Sequence, residues 1–341
     1  MRGPTPEFQL AFLNKVQRLF AEGDFTATYK FALLISIADI AVESGQDDDR
    51  PLVIPHRRLG EKFIDLYWQQ AAPFRGDGVL IQNNSKQAAV ITQIGRFRGQ
   101  DQISTVNAGR STAGFKSLLK SVTRTVVTNP VEYIQNLGGG RDQFLFESGT
   151  DSITLLPGIA YCLRRFQPLV QQLSRSHWID HIKRNKQNTG LLGQDNDLES
   201  FLFETSRHSL VIVQAGLRKI SNYCLYCGES VRDADVDHFI PHSLYPRDLA
   251  HNFVLAHPAC NRSKSDTLAA KQHLHKWLDF VQTNADNLSQ IGYDAGIMSD
   301  QGSMRSVARW GYASAVQGGS QAWIKTAQYE PIDASYLNFW A

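Results

Sequence analysis

Apolar positions recur at helical spacing from residue 7 to 43, for instance Phe25, Tyr29, Leu33, Ile37 and Ile40, and the acidic turn segment ESGQDDDRP closes the run. A second helix fits RRLGEKFIDLYWQQ, with Leu59, Phe63, Leu66 and Tyr67 on one face and Pro73 shortly after. NLGGGRD, residues 136–142, reads as a flexible joint, and FLFES and SITLL as short strands around a Gly-Thr-Asp turn. A helix starting near Pro157 should turn Leu163, Phe166, Leu169, Val170 and Leu173 inward. KQNTGLLGQDND, residues 186–197, reads as a second linker, followed by a helix from Leu198 to about Ile220. SDTLAAKQHLHKWLDFVQ is helical in pattern, and Ser303 to Thr326 reads as one or two helices broken at QGGSQ. The expected fold class is therefore mainly helical α+β. The expected regions are 1–135 (mainly helical), 136–219 (a strand pair and a basic helical part), 220–285 (a small module) and 286–341 (C-terminal helices).

Composition changes this picture little. With 341 residues, 42% hydrophobic and 20% charged, the chain is globular rather than disordered. The N-terminus lacks an apolar segment behind its arginine and no run of eighteen apolar residues occurs, so a cytoplasmic protein without a membrane segment is expected. Four cysteines suit a reducing compartment better than a disulfide scaffold. A net charge of +2 predicts no polyanion partner by itself, and local charge is more informative. Lys86, Arg96, Arg98, Arg110, Lys116, Lys120 and Arg124 face one acid, Asp101, over residues 86–124, and Arg164, Arg165, Arg175, Lys183, Arg184 and Lys186 face Asp180. Each stretch is a candidate phosphate-contacting surface as well as a candidate solvated face.

The chemistry is concentrated in CLYCGESVRDADVDHFIPHSLYPRDLAHNFVLAHPACNRSK, residues 224–264. Cys224-x-x-Cys227 and His257-x-x-Cys260 are two knuckle-spaced pairs whose four donors suit tetrahedral Zn²⁺ with no position left for water, which makes the expected zinc structural. Between and beside them stand Asp237, His238, Asn252 and Asn261. Phosphodiester cleavage needs a base for water, a divalent cation and donors that hold the backbone. Histidine is the side chain type whose free pKa lies closest to neutral, so His238 is the candidate base. Asp237 and Asn261 offer hard oxygens suited to Mg²⁺ or a similar ion. His177 and His181 are four apart but lack an acidic residue in the HEXXH position, so they read as surface or packing histidines. Cys162 reads as a small core hydrophobe, Tyr226 and Phe239 as apolar fillers, His242 and His251 as supporting or surface groups, and His273 and His275 as exposed.

This arrangement resembles the HNH, or ββα-metal, endonuclease family. The Asp-His pair followed by Pro241, the fourteen residues from His238 to Asn252, the nine more to Asn261 and the ending Cys260-Asn261-x-x-Lys264 carry the resemblance, over roughly residues 220–275. It implies a zinc-stapled ββα module embedded between helical regions, with His238 as general base and Asp237 and Asn261 on a catalytic divalent ion. It further implies that Asn252 holds the loop that orients His238, and that Arg262 and Lys264 meet phosphates. The implied activity is hydrolysis of double-stranded DNA, one strand per site, leaving 5′-phosphate and 3′-hydroxyl ends. LYWQQAAPF and the helix before it resemble the N-terminal region of HNH proteins of bacterial defence against phage, which implies defence-system partner proteins. Restriction, homing and toxin-type nucleases share the chemistry, and a zinc-dependent protein that grips DNA without cutting is the non-enzymatic alternative.

Overall fold

The computed structural model describes residues 3–340 apart from 101 and 194–196, so Asp101 lies outside the described residues. The fold is mainly helical α+β, 59% helix, with small β-hairpins. The apolar run of residues 7–43 becomes two helices, α1 (Pro6–Glu22) and α2 (Tyr29–Ser44). Thr5 starts α1 by accepting a hydrogen bond from the Phe8 N–H, and Gly23 ends it in an extended conformation. α2 is apolar on every side and buried along almost all its length, as a central helix must be.

α3 (His56–Trp68) packs on α2 and in turn carries β1 (Leu52–Pro55), α4 (Ala89–Gln100), α5 (Val106–Arg110) and α6 (Phe115–Val126). α3 and α6 approach closely at Gly60, where an added Cβ would lie 2.1 Å from Thr123 Oγ1. The NLGGGRD segment is not a joint. It is a hairpin of β2 (Asn136–Leu137) and β3 (Gly140–Arg141), whose two-residue turn takes Gly138 at φ +56° and Gly139 at φ +83°. β4 (Phe146–Ser148) and β5 (Ser152–Leu155) form the expected strand pair, and β5 also pairs antiparallel with β1, Ile54 opposite Ile153. That pairing ties residues 52–55 to 152–155, so the boundary expected at 135/136 does not separate folded units. The chain divides into Met1–Phe203 and Glu204–Ala341.

The helix expected from Pro157 is two, α7 (Ile159–Arg165) and α8 (Gln167–Arg184), separated at Phe166. Leu169 is 42% exposed, not inward. The buried stripe of α8 carries Gln167, Val170, Gln171, Ser174, Arg175 and Trp178, and polar residues inside an apolar stripe blur the periodicity. The basic run of residues 164–186 is divided for the same reason. Arg164 is buried, donating to Asp47 at 2.8 Å and to the Ala41 and Val42 carbonyls. Arg175 is buried with its guanidinium over Phe203. After α9 (Thr189–Leu192) and α10 (Leu198–Phe203) the expected long helix breaks, and Ser206 caps a new one by accepting from the Ser209 N–H.

The second unit contains α11 (Arg207–Ile220), β6 (Asp235–His238), β7 (Phe253–Ala256), α12 (Pro258–Lys264), α13 (Lys271–Thr283), α14 (Ala285–Ala295) and α15 (Gln301–Gly318). β6 and β7 form an antiparallel hairpin with Asp237 opposite Val254 and His238 opposite Phe253. α12 stops at Lys264, and residues 265–270 are not helical, contrary to the periodicity. The chain after α15 is a hairpin of β8 (Gln321–Lys325) and β9 (Gln328–Pro331) rather than a helix. It is held by backbone bonds from the Trp323 N–H to the Leu268 carbonyl and from the Ala270 N–H to the Trp323 carbonyl, 2.8 Å each. Phe239 stacks on Trp277 at 4.6 Å in the unit's core. Among the described residues no helix is long and apolar enough to cross a membrane.

Candidate active site

The two Cys/His pairs converge. The donor atoms of Cys224, Cys227, His257 and Cys260 lie within 4.8 Å of one another. The first pair sits on a tight knuckle, where the Gly228 N–H donates to the Cys224 carbonyl at 2.9 Å and Gly228 takes φ +78°. The second pair spans the start of α12, which places Cys260 in the first turn after His257. His257 Nε2 donates to the Ser230 carbonyl at 3.2 Å, which turns Nδ1 toward the sulfurs, 3.3 Å from Cys227 Sγ. Burial and the neighbouring Cys224 and Cys227 sulfurs push the Cys260 thiol up to about 12. Three thiolates packed this closely repel one another, so three sulfurs with a neutral imidazole suit a soft divalent cation that holds the thiolates together. This Cys₃His cluster could bind a structural zinc.

The hairpin between the pairs presents the other residues. Successive side chains on a strand leave opposite faces. Asp235 and Asp237 accordingly face α12, while His238 faces the loop that joins β6 to β7. Asp237 accepts a hydrogen bond from the Tyr226 hydroxyl and pairs with Lys264 Nζ at 3.2 Å. Tyr226 is therefore more than a filler. Asn261 Nδ2 donates to Asp235 Oδ2 at 3.0 Å, so the amide reaches the same strand face as Asp237 and keeps its oxygen available.

Lys264 does not match the phosphate contact expected of it. It is 1% exposed, and its ammonium donates to the His238 carbonyl at 2.9 Å besides pairing with Asp237. Burial pushes its pKa down, and the Asp237 carboxylate works against that. Lys264 braces the Asp-His dipeptide from beneath. Arg262, two residues earlier, is exposed.

Asn252 is buried and clamps the residue two beyond His238. Its Oδ1 accepts from the Ile240 N–H at 2.8 Å, its Nδ2 donates to the Ile240 carbonyl at 2.9 Å, and its own carbonyl accepts from the Phe239 N–H at 2.8 Å. The turn after β6 is fixed from both sides. His238 packs on Phe253, ring centroids 4.8 Å apart, with His242 at 5.3 Å.

Sequence reasoning missed Asp248. Its Oδ1 lies 2.5 Å from His238 Nε2, and this carboxylate orients the imidazole. Burial alone would push the Asp248 carboxyl up, but the hydrogen bond and charge of His238 outweigh it and hold the group at about 2. The available signal was weak: a carboxylate four residues before Asn252 in a loop without periodicity. Asp235 was also missed, although its two-residue spacing from Asp237 puts both on one strand face. His273 is buried, not exposed, with Nε2 donating to the Ile324 carbonyl at 2.8 Å and its ring against Trp323. His275 is exposed beside Asp279, and His251 is buried in the turn before Asn252. His177 stacks on Phe20 at 4.6 Å, a packing histidine.

Comparison with known proteins follows this division of the chain. The model of the HNH endonuclease family matches residues 224–267. The model described as a domain of unknown function, DUF8808, matches residues 10–202. No curated protein and no solved structure matches.

Proposed function

Because the chain belongs to the DUF8808 family and carries an HNH endonuclease domain after that region, we propose that it is a metal-dependent endonuclease that nicks double-stranded DNA. An HNH domain implies a metal-dependent nuclease and a nucleic-acid substrate. The choice of duplex DNA, the single-strand cut and the residue roles are our reading. The observation that carries it is the hydrogen-bonded set around β6: Asp237 on Lys264 and Tyr226, His238 on Asp248, and Asn252 on Ile240.

In this reading His238 accepts the proton of the attacking water. Asp248 fixes the ring by taking the hydrogen bond of one nitrogen, which leaves the other to act as acceptor. Asn252 and Lys264 hold the backbone on both sides of His238, so the imidazole enters the reaction with its orientation already set. Asp237 and Asn261 would hold the divalent ion, with Asp235 anchoring the Asn261 amide. That ion, when bound, supplies positive charge to the phosphate and the departing oxygen. Arg262 lies exposed on α12 to meet a neighbouring phosphate. The zinc-binding cluster keeps β6, β7 and α12 in register and takes no part in the chemistry.

One such site meets one strand. The first product from supercoiled plasmid and Mg²⁺ is expected to be an open circle that DNA ligase reseals, since the ends would be 5′-phosphate and 3′-hydroxyl. Linear DNA as the first product, or nicks that ligase refuses, would contradict this chemistry. A role in bacterial defence against phage rests only on the likeness of residues 66–74, where Tyr67, Trp68 and Phe74 pack into the core.

A further inference from the structure

The first unit has an outward face that its own packing does not explain. α6 buries Phe115, Leu118, Leu119, Val122 and Val126, and its opposite side carries Lys116, Lys120 and Arg124, all exposed. These cations stand at i, i+4 and i+8. They form a row on one face, spaced about 6 Å apart and about 12 Å long. Like charges at this spacing repel and destabilise a helix. α6 contains no acidic residue to relieve them. Among the described residues, the acids of α3 and of the segment after α6 have partners of their own: Glu61 with Arg57, Asp65 with Arg110 at 2.5 Å, and Glu132 with Arg141.

The neighbouring helix adds to the row. Gln93 Nε2 donates to Thr125 Oγ1 at 3.1 Å, and the rings of Phe97 and Phe115 lie 6.3 Å apart, so α4 runs antiparallel to α6. Arg96, one turn beyond Gln93, is exposed beside it. Of the other cations of residues 86–124, Lys86 is exposed outside the two helices, and Arg98 and Arg110 are committed elsewhere. Arg98 donates to the Trp68 carbonyl at 2.8 Å and stacks on its ring, and Arg110 holds Asp65. The platform is firm, because α6 packs against α3 at the Gly60 contact.

From this surface we infer that the Lys116, Lys120 and Arg124 face of α6, with Arg96, is a backbone-contacting site for duplex nucleic acid in the DUF8808 region. Successive phosphates of one strand are about 3.4 Å apart along a duplex axis, so a 12 Å row spans about three to four of them. Ser117 and Ser121, exposed alongside the row, can donate to phosphate oxygens. No aromatic side chain stands among them, as stacking on a single strand would require. The duplex is therefore the better fit. This inference rests on the nucleic-acid substrate of the preceding reading and extends it to how the substrate is held.

The test is fluorescence anisotropy of a labelled 30-base-pair DNA with the full-length protein, Mg²⁺ omitted, over a series of KCl concentrations. The variant is K116E/K120E/R124E, and the control is R305E/R309E/K325E, which makes the same net-charge change at exposed positions outside both basic stretches. The first variant should weaken binding more than tenfold and flatten the log Kd against log salt slope by about 2 to 3, roughly one per cation. The control should stay within twofold. K116Q/K120Q/R124Q, milder toward folding, should lose the same slope. Equal losses in variant and control, or no loss, overturn the inference. So does a loss confined to single-stranded RNA or to anionic phosphatidylserine vesicles while duplex binding persists. Cleavage is scored separately with Mg²⁺. If the wild type leaves DNA intact, the nuclease reading fails while the anisotropy still decides the surface.

Discussion

Lys264→Met separates a brace from a phosphate contact. Met fills nearly the same volume as the lysine stem but removes the ammonium, leaving the Asp237 carboxylate, 9% exposed, beside Tyr226 alone and the His238 carbonyl without its 2.9 Å donor. Breaking a buried pair by removing one partner costs about 3–5 kcal/mol, against about 1 kcal/mol or less for an exposed pair. With a slope of about 1–3 kcal/mol per molar urea, the unfolding midpoint of the second unit should fall by at least about 1 M. Urea unfolding of the zinc-loaded chain, with hydrogen exchange of the β6 and β7 amides as local readout, measures this. Asp237→Asn, which strands the ammonium instead, should also destabilise, and the double variant should recover part of the loss, giving a coupling of about 2 kcal/mol. A Lys264→Met variant that loses under about 1 kcal/mol, shows no coupling and instead binds DNA more weakly would refute the brace.

The pH dependence of Asp248 has a defined sign. Its folded pKa of about 2 lies below the ordinary 3.8, so its contribution is fully present above about 4 and is lost as pH falls toward 2. The stability advantage of wild type over Asp248→Asn, about 2 kcal/mol at pH 6, should shrink across that window in acid titrations; a constant difference would remove the carboxylate from the account. Asn252→Ala leaves the buried N–H and carbonyl of Ile240 without partners and should cost about 2–4 kcal/mol in chemical denaturation, with little effect if that turn is held by something else. Metal analysis should find about one zinc per chain, with chelation or Cys227→Ser unfolding residues 224–264; a folded zinc-free protein would show that the cluster is not a staple.

What the chain discloses in advance is what lies in short sequence intervals. The zinc pairs, the Asp237-His238 dipeptide and the distances to Asn252 and Asn261 are local, and so were legible. The apolar run of α2 and the apolar face of α3 were legible because propensity and burial agree there. Residues whose place depends on a distant partner were not. Lys264, Arg164 and Arg175 look like surface cations until Asp237, the end of α2 and Phe203 are brought to them. The β8–β9 hairpin read as helix because its decisive bonds, to Leu268 and Ala270, come from residues some fifty positions earlier. Asp248 escaped notice because a single loop carboxylate carries no period, and only the turn held by Asn252 brings it to His238.

The central claim, that the β6–β7–α12 module cuts nucleic acid through His238, is tested most directly on supercoiled plasmid with Mg²⁺. Wild-type protein should convert it to open circles, and His238→Ala, folded and zinc-loaded, should leave it supercoiled. A plasmid that survives the wild type, or that both proteins nick equally, would contradict the account.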